Sequence, residues 1–237
     1  MIPKRSNSYV EMKTRPGNRP IAARRRVLLV DDHPLMREGV ASWINREADL
    51  EVCWQAANAA EAMQSVGRAR PDVVVTDLSM SGRNGIELIK DLKAMCPEVP
   101  ILVLSMHDES IYASRALRAG ASGYIMKEAG GESLVAALRH VANGGMYLNQ
   151  RIAEKILGSF SGHHPRGSAS PIEQLTDREF EVFQLIGRGF DSARIASHLH
   201  LSPRTVDVHR ANIKRKLALE NSTALVHRAV HWAESRH

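Results

Sequence analysis

Short blocks of consecutive apolar residues alternate with amphipathic stretches through the first two-thirds of the chain. Val27–Val30, Val73–Thr76, Ile101–Leu104 and Tyr124–Met126 are such blocks, the pattern of strands buried on both faces. Leu50, Val52 and Trp54 alternate with polar residues instead, which predicts an outer strand. Between the blocks, apolar residues recur at helical spacing. Helices are predicted over Leu35–Arg46, Ala59–Ala69, 84–95, Ser110–Ala119 and Glu132–Asn143. Five strand–helix units in succession predict an α/β doubly wound domain, a five-stranded parallel sheet with helices on both faces. From Leu175 onward the pattern is helical throughout. Thr176 and Glu179 form a capping box for a helix ending near Gly187–Gly189. A second helix covers Ser192–Leu199, and a third is capped by Ser202, begins at Pro203 and runs to Leu217. A fourth starts near Ser222. The turn His200-Leu201-Ser202 before the third helix makes this an all-α helix-turn-helix domain.

Composition divides the chain along the same lines. Residues 1–25 lack apolar periodicity, are rich in Arg, Pro, Asn and Ser, and read as a disordered basic tail. Residues 26–143 form the α/β domain, and 172–237 the helical one. Residues 144–171 are a linker, with a short helical stretch at Arg151–Leu157 followed by a Gly-, Ser-, Pro- and His-rich run. His163 and His164 in that run lack partners at metal-ligand spacing. Net charge is +7 over 1–26, −5 over 27–150 and +4 over 151–237. The middle is thus acidic and the helical module basic, as a polyanion-binding module would be. Two cysteines without metal-site spacing, and no apolar run of the roughly 18 residues a membrane span needs, fit a cytoplasmic protein that does not enter membranes.

Candidate chemistry concentrates at strand ends, where open parallel sheets present functional groups. Asp31 and Asp32 follow the first strand and Asp77 the third. If those strands are neighbours, three carboxylates converge and require a cation. Hard oxygen donors suit Mg2+. Ser105 follows the fourth strand and Lys127 the fifth. A hydroxyl and an ammonium beside an activated carboxylate are what a phosphorylated aspartate needs for charge neutralisation.

These residues carry a resemblance. The stretches VLLVDDHPLMREGV, VVVTDLSMSGRNGIELI, ILVLSMHD and GASGYIMKE are similar to the receiver domains of two-component systems. LTDREFEVFQLIGRG, RIASHLHLSPRTVDVHRANIKRKL and TALVHRAV resemble the LuxR-type helix-turn-helix of NarL/FixJ response regulators. The resemblance implies that Asp77 is the phospho-acceptor. It implies that Asp32 and Asp77 ligate Mg2+ directly, Asp31 through water, and Ser79 through its carbonyl. Ser105 is then the switch hydroxyl, Tyr124 the switch aromatic and Lys127 the family's lysine. It further implies a sensor histidine kinase as phosphodonor, DNA as partner, and a homodimer supported by the last helix. One position departs: Ser81 stands where the family has a proline, which leaves the loop after Asp77 less constrained in φ.

On the third helical segment of the second domain, the angular spacing puts Val206, Ile213 and Leu217 on the inward face and Arg204, Val208, Ala211 and Arg215 on the opposite one. Asp207, Val208 and Ala211 are expected at base edges, with Asp207 accepting from a cytosine amine, repelling wrong registers, or pairing locally with Arg204 or Arg210. Arg204, Thr205, Arg210, Lys214, Arg215 and Lys216 are expected at phosphates. The function expected is a non-enzymatic response regulator whose receiver, unphosphorylated, covers or misorients the DNA module. The alternative is a phosphorylation-independent transcription factor that keeps the receiver for dimerisation. An aspartate-nucleophile phosphatase is disfavoured, because its D-x-D motif after the first strand is D-D here.

Overall fold

The computed structural model describes residues 24–80, 85–106, 109–150, 152–154 and 171–235. Most of the basic tail, Ser81, His163, His164 and most of the linker lie outside them. Strands β1 (Arg25–Val30), β2 (Leu50–Ala56), β3 (Val73–Thr76), β4 (Ile101–Ser105) and β5 (Gly123–Met126) form one sheet in the order β2-β1-β3-β4-β5, and every pairing is parallel. Helices α1 (Pro34–Asn45), α2 (Ala59–Ala69), α3 (Gly85–Met95), α4 (Glu109–Arg118) and α5 (Gly130–Ala142) connect them. Side chains alternate across each strand. Val27, Leu29, Val73 and Val75 therefore enter one core with Val40, Ile44, Leu134 and Leu138 of α1 and α5. Leu28, Val30, Val74 and Val103 enter the other with α2, α3 and α4. β2 is one edge of the sheet, as its alternating sequence predicted, and β5 is the other.

At both edges of the α/β domain, residues just outside the bounds read from the sequence make contacts with it. Arg25, assigned to the tail, opens β1, and its guanidinium donates to the Ala142 carbonyl (2.8 Å) and to Asn143 Oδ1 (2.7 Å). At the other end, Tyr147, placed in the linker by the sequence reading, lies against β5 outside the named strands. It bridges to Gly123, accepts from the Tyr124 amide at 2.9 Å, and donates to the Ser122 carbonyl at 3.1 Å. The reason is common to both: an exposed strand end or edge leaves backbone groups that neighbouring chain satisfies. Hydrophobic periodicity carries no signal for that.

The second domain comprises α6 (Asp177–Gly187), α7 (Ser192–Leu199), α8 (Pro203–Lys216) and α9 (Ser222–Glu234), preceded by a 3-10 turn at Pro171–Gln174. The capping box at Thr176 and Glu179 forms as predicted, and Ser202 caps α8 through the Thr205 amide. His200 takes a left-handed conformation that ends α7 and turns the chain toward α8. Phe180, Phe183, Ile195, Val206, Ile213, Leu225 and Ala229 are buried together. Among the described residues no helix is long and apolar enough to cross a membrane.

Glu179 has a second role. Its carboxylate, nearly buried, accepts from Lys216 at 2.6 Å, tying the start of α6 to the end of α8. Burial pushes its pKa up, but the bonds from Lys216 and the Thr176 amide outweigh this and hold it below the usual glutamate value. A depressed folded pKa contributes stability that is present above about pH 4.3 and lost as the pH falls further. Glu179→Gln is expected to flatten the acid limb of the stability curve of this domain and to cost about 1 kcal/mol at pH 7, or about 4–8 °C in Tm. Thermal melts at pH 3 to 7 check this.

Candidate functional site

Register creates the acidic site. Val30 pairs with Thr76 across β1 and β3, so Asp31 and Asp77 leave adjacent strand ends side by side. Backbone bonds hold both, Asp77 N to Val30 O at 2.9 Å and Asp31 N to Ala56 O at 3.1 Å. Asp31, Asp77 and Lys127 are almost completely buried. Lys127 Nζ lies 2.7 Å from Asp31 Oδ2 and 2.7 Å from Asp77 Oδ2. Burial lowers the Lys127 pKa, yet the hydrogen bonds it donates to both carboxylates, and their charge, dominate and leave it above its ordinary value. The lysine therefore stays charged. The loop after β3 returns the Ser79 amide to Asp77 Oδ1 at 3.1 Å.

The sequence reading missed His33 and Arg37. The His33 amide donates to Asp31 Oδ1 at 2.8 Å, and its Nδ1 lies 2.9 Å from Asp32 Oδ1. Arg37 donates to the Asp31 carbonyl at 2.6 Å. The available signal was adjacency, because Pro34 starts α1 right after the aspartates and folds its first turn back over them. Ligand atoms of Asp31, Asp32, His33 and Asp77 all lie within 4.8 Å of one another. Three carboxylates face one lysine, an excess of negative charge that suits a hard divalent cation.

Ser105 ends β4 fully buried, paired in register with Met126, the residue before Lys127. Tyr124 is buried beneath it, in the core shared with α2, α3 and α4. Gly85 is required at the start of α3. A Cβ there would lie 2.5 Å from the Asp77 carbonyl oxygen and 2.6 Å from Leu78 Cα, which only backbone movement relieves. Gly85→Ala is expected to cost about 1–3 kcal/mol in urea unfolding and to displace the Asp77 backbone.

On α8, Val206 and Ile213 are fully buried, while Arg204, Asp207, Val208, Ala211 and Arg215 are exposed on the outer face. Thr205, Arg210 and Lys214 are half-buried at its flanks. Two expectations change. Lys216 is turned inward onto Glu179 and the Gln174 carbonyl, so its charge secures the helix pair instead of facing outward. Asp207 bonds neither Arg204 nor Arg210 but accepts from Ser192 Oγ at 3.0 Å. Each change depends on which helix lies opposite, and periodicity within α8 contains no such information.

The two domains touch through α4 and α6. Arg115, only 8% exposed, donates to the carbonyls of Leu175 (2.8 Å) and Ile172 (3.1 Å) and to Asp177 Oδ1 (3.0 Å), and its guanidinium stacks on Phe180. Lys90 of α3 holds Asp177 Oδ2 at 2.8 Å. Tyr112 packs edge-on to Phe180 and accepts from Gln184. A cavity of about 320 Å3 between the domains is lined by Asp32 and Ser79 on one side and by Gln184 and Arg188 on the other. The receiver side thus packs on α6 and leaves the outer face of α8 open, with Val208 54% exposed. Of the two expected modes, covering or misorienting the DNA module, covering of the outer face of α8 is not what this structure shows.

Residues 27–139 match the family described as response regulator receiver domain, and residues 173–229 the family of bacterial regulatory proteins of the luxR family. The chain is 35% identical to the oxygen regulatory protein NreC of Staphylococcus haemolyticus, over 86% of this chain and 96% of that protein. It is 32% identical to the transcriptional regulatory protein DegU of Brevibacillus brevis, over 84% and 90% of the two chains. The structure of RcsB from Salmonella enterica serovar Typhimurium, bound to a promoter in the presence of the phosphomimetic BeF3-, is 25% identical with a TM-score of 0.62, covering 86% of this chain and 98% of that one. With both modules present in the same order as in full-length relatives, the chain belongs to the NarL/FixJ-type response regulators, two-component proteins in which a receiver governs a LuxR-type DNA-binding domain.

Proposed function

We propose that Asp77 accepts a phosphoryl group from a sensor histidine kinase in the cytoplasm, and that this controls promoter binding by α8. The observation carrying the proposal is the pairing of buried Asp77 and Asp31 through Lys127, with excess carboxylate charge alongside. An Asp77 oxygen attacks phosphorus, the bond from phosphorus to the donor nitrogen breaks, and the imidazole leaves with the electron pair. Lys127, released from one carboxylate, pairs with the new phosphoryl oxygens, and the Ser105 hydroxyl and the Ser79 amide would donate to them. Asp31, Asp32 and Asp77, with the Ser79 carbonyl, would hold Mg2+, which when bound neutralises phosphoryl charge.

The signal has a short route. Ser105 ends β4, and the same chain continues into α4, whose Tyr112 and Arg115 grip α6. Ser105 moving toward a phosphoryl group pulls the start of α4, and Tyr124 fills the space left behind. Near-complete conversion from off to on needs about 5.5 kcal/mol of differential stabilisation, whereas a coupling of about 1–3 kcal/mol gives graded activation. On DNA, Arg204, Thr205, Arg210, Lys214 and Arg215 supply phosphate contacts, while Asp207, Val208 and Ala211 face base edges. The apolar side chains of α9 are largely used within the domain, Trp232 packing on Phe180 and Phe183. Exposed Val226 is what α9 offers a second copy in a homodimer.

The test is intact-protein mass after incubation with acetyl phosphate, with Mg2+ or with EDTA, and promoter binding followed in parallel. A single phosphoryl adduct formed only with Mg2+, accompanied by changed binding, is the expected result. No adduct, with DNA binding intact, would make this a phosphorylation-independent regulator.

A further inference from the structure

Pro203–Lys216 contains five Lys and Arg residues and one acid, Asp207. An acid on the outer face of a helix that approaches a polyanion opposes binding unless it meets a hydrogen-bond donor there. The simplest way to silence it would be an ion pair with Arg204 or Arg210, three residues away on either side. Among the described residues no such pair forms. The carboxylate is held instead from the preceding helix, where Ser192, the first residue of α7, donates its hydroxyl to Oδ1 at 3.0 Å. That bond fixes the side-chain direction and leaves Oδ2 as an acceptor. Asp207 lies in the second turn of α8, within the N-terminal part of a recognition helix that reaches base edges. On the same exposed surface, Val208 is adjacent and Ala211 follows one turn later.

A carboxylate only accepts hydrogen bonds. In the major groove cytosine presents its N4 amine, whereas adenine sets its N6 amine beside the N7 acceptor, which repels a carboxylate. Guanine presents two acceptors, and thymine an acceptor and a methyl group. We infer that Asp207, positioned by Ser192, selects a cytosine in each half-site, with Val208 and Ala211 against neighbouring thymine methyls or other apolar edges. This rests on the DNA-reading role of α8 proposed above. Ser192 is a positioning residue and touches no base in this scheme.

The experiment is selection from a random duplex library by the full chain, incubated with acetyl phosphate and Mg2+. Wild type is expected to enrich sites with one strongly preferred cytosine per half-site. Asp207→Asn should move that single position to adenine, since a carboxamide pairs with N6 and N7 together. Ser192→Ala should keep the same consensus but weaken the preference at that position by about tenfold, with the salt dependence unchanged. Ser192→Thr should restore the preference. Asp207→Ala should lose it and bind unselected DNA more tightly, because one charge opposing the phosphates is gone. Sequence selection that is the same in wild type, Asp207→Asn and Ser192→Ala overturns the inference and leaves the DNA-reading role standing. A wild-type chain that enriches no sequence overturns both.

Discussion

Asp77→Asn is expected to take up no phosphoryl group from acetyl phosphate and to leave DNA binding insensitive to the donor. The substituted amide keeps the shape of the carboxylate but removes the nucleophile and one of the two negative charges that hold Lys127. Loss of the adduct should be complete by intact mass. The effect on folding should be small and its sign is informative. Two buried carboxylates currently share one lysine, and removing a charge from a site with excess negative charge relieves repulsion. Urea unfolding should therefore show Asp77→Asn at least as stable as the wild type, as expected for a site whose charges serve phosphoryl transfer at some expense of stability. An Asp77→Asn chain that still gains a single phosphoryl group would move the acceptor elsewhere.

Arg115→Ala is expected to separate the domains. One buried guanidinium satisfies two carbonyls and half of Asp177, and it covers Phe180. Its loss leaves those groups to water or unsatisfied, and a cost of about 2 kcal/mol raises the open fraction about thirtyfold. Without phosphodonor the variant should show a larger radius of gyration in small-angle scattering, and its DNA binding should approach that of the phosphorylated wild type. Unchanged scattering together with unchanged DNA binding would remove α4 from the regulatory path. The contact should not respond to physiological pH. Burial raises the Asp177 pKa, but the bonds from Lys90 and Arg115 outweigh it and set it below the usual aspartate value. The carboxylate contribution is therefore present above about pH 3.9 and disappears only below that. Opening on acidification between pH 8 and pH 5 would mean another group controls the contact.

Much of this architecture was legible in the order of residues, and the particular positions show why. VLLV, VVVT and ILVL are too short and too uniformly apolar for surface helices, so they had to be central strands. Their order stayed conditional in the sequence and was set by the fold, which places β1 beside β3. Three aspartates, a serine and a lysine at the ends of such strands converge once β1 and β3 are neighbours, which the register of Val30 with Thr76 establishes. The caps at Thr176 and Ser202 were equally readable, because they act through bonds spanning three residues; those at Asp191 and Asn221 have the same range but emerged with the structure. Interactions of that range are determined by local sequence.

What only the tertiary structure decided involves partners distant in the chain. Lys216 turns to Glu179, Asp207 is held by Ser192, and Arg115 reaches past the linker to Asp177. Each is a polar side chain whose own helix leaves several directions open, and the choice is made by whichever neighbour offers the complementary charge or hydrogen bond. Tyr147 shows the same for backbone, since its polar groups pair with β5 only because that edge is open beside it. The sequence by itself determined the two modules, their order and the chemistry of the acidic pocket, because hydrophobic periodicity and strand-end position are properties of single segments. The docking of α4 on α6 and the aim of the reading helix were decided by tertiary structure, because they depend on surfaces that exist only after both domains have folded.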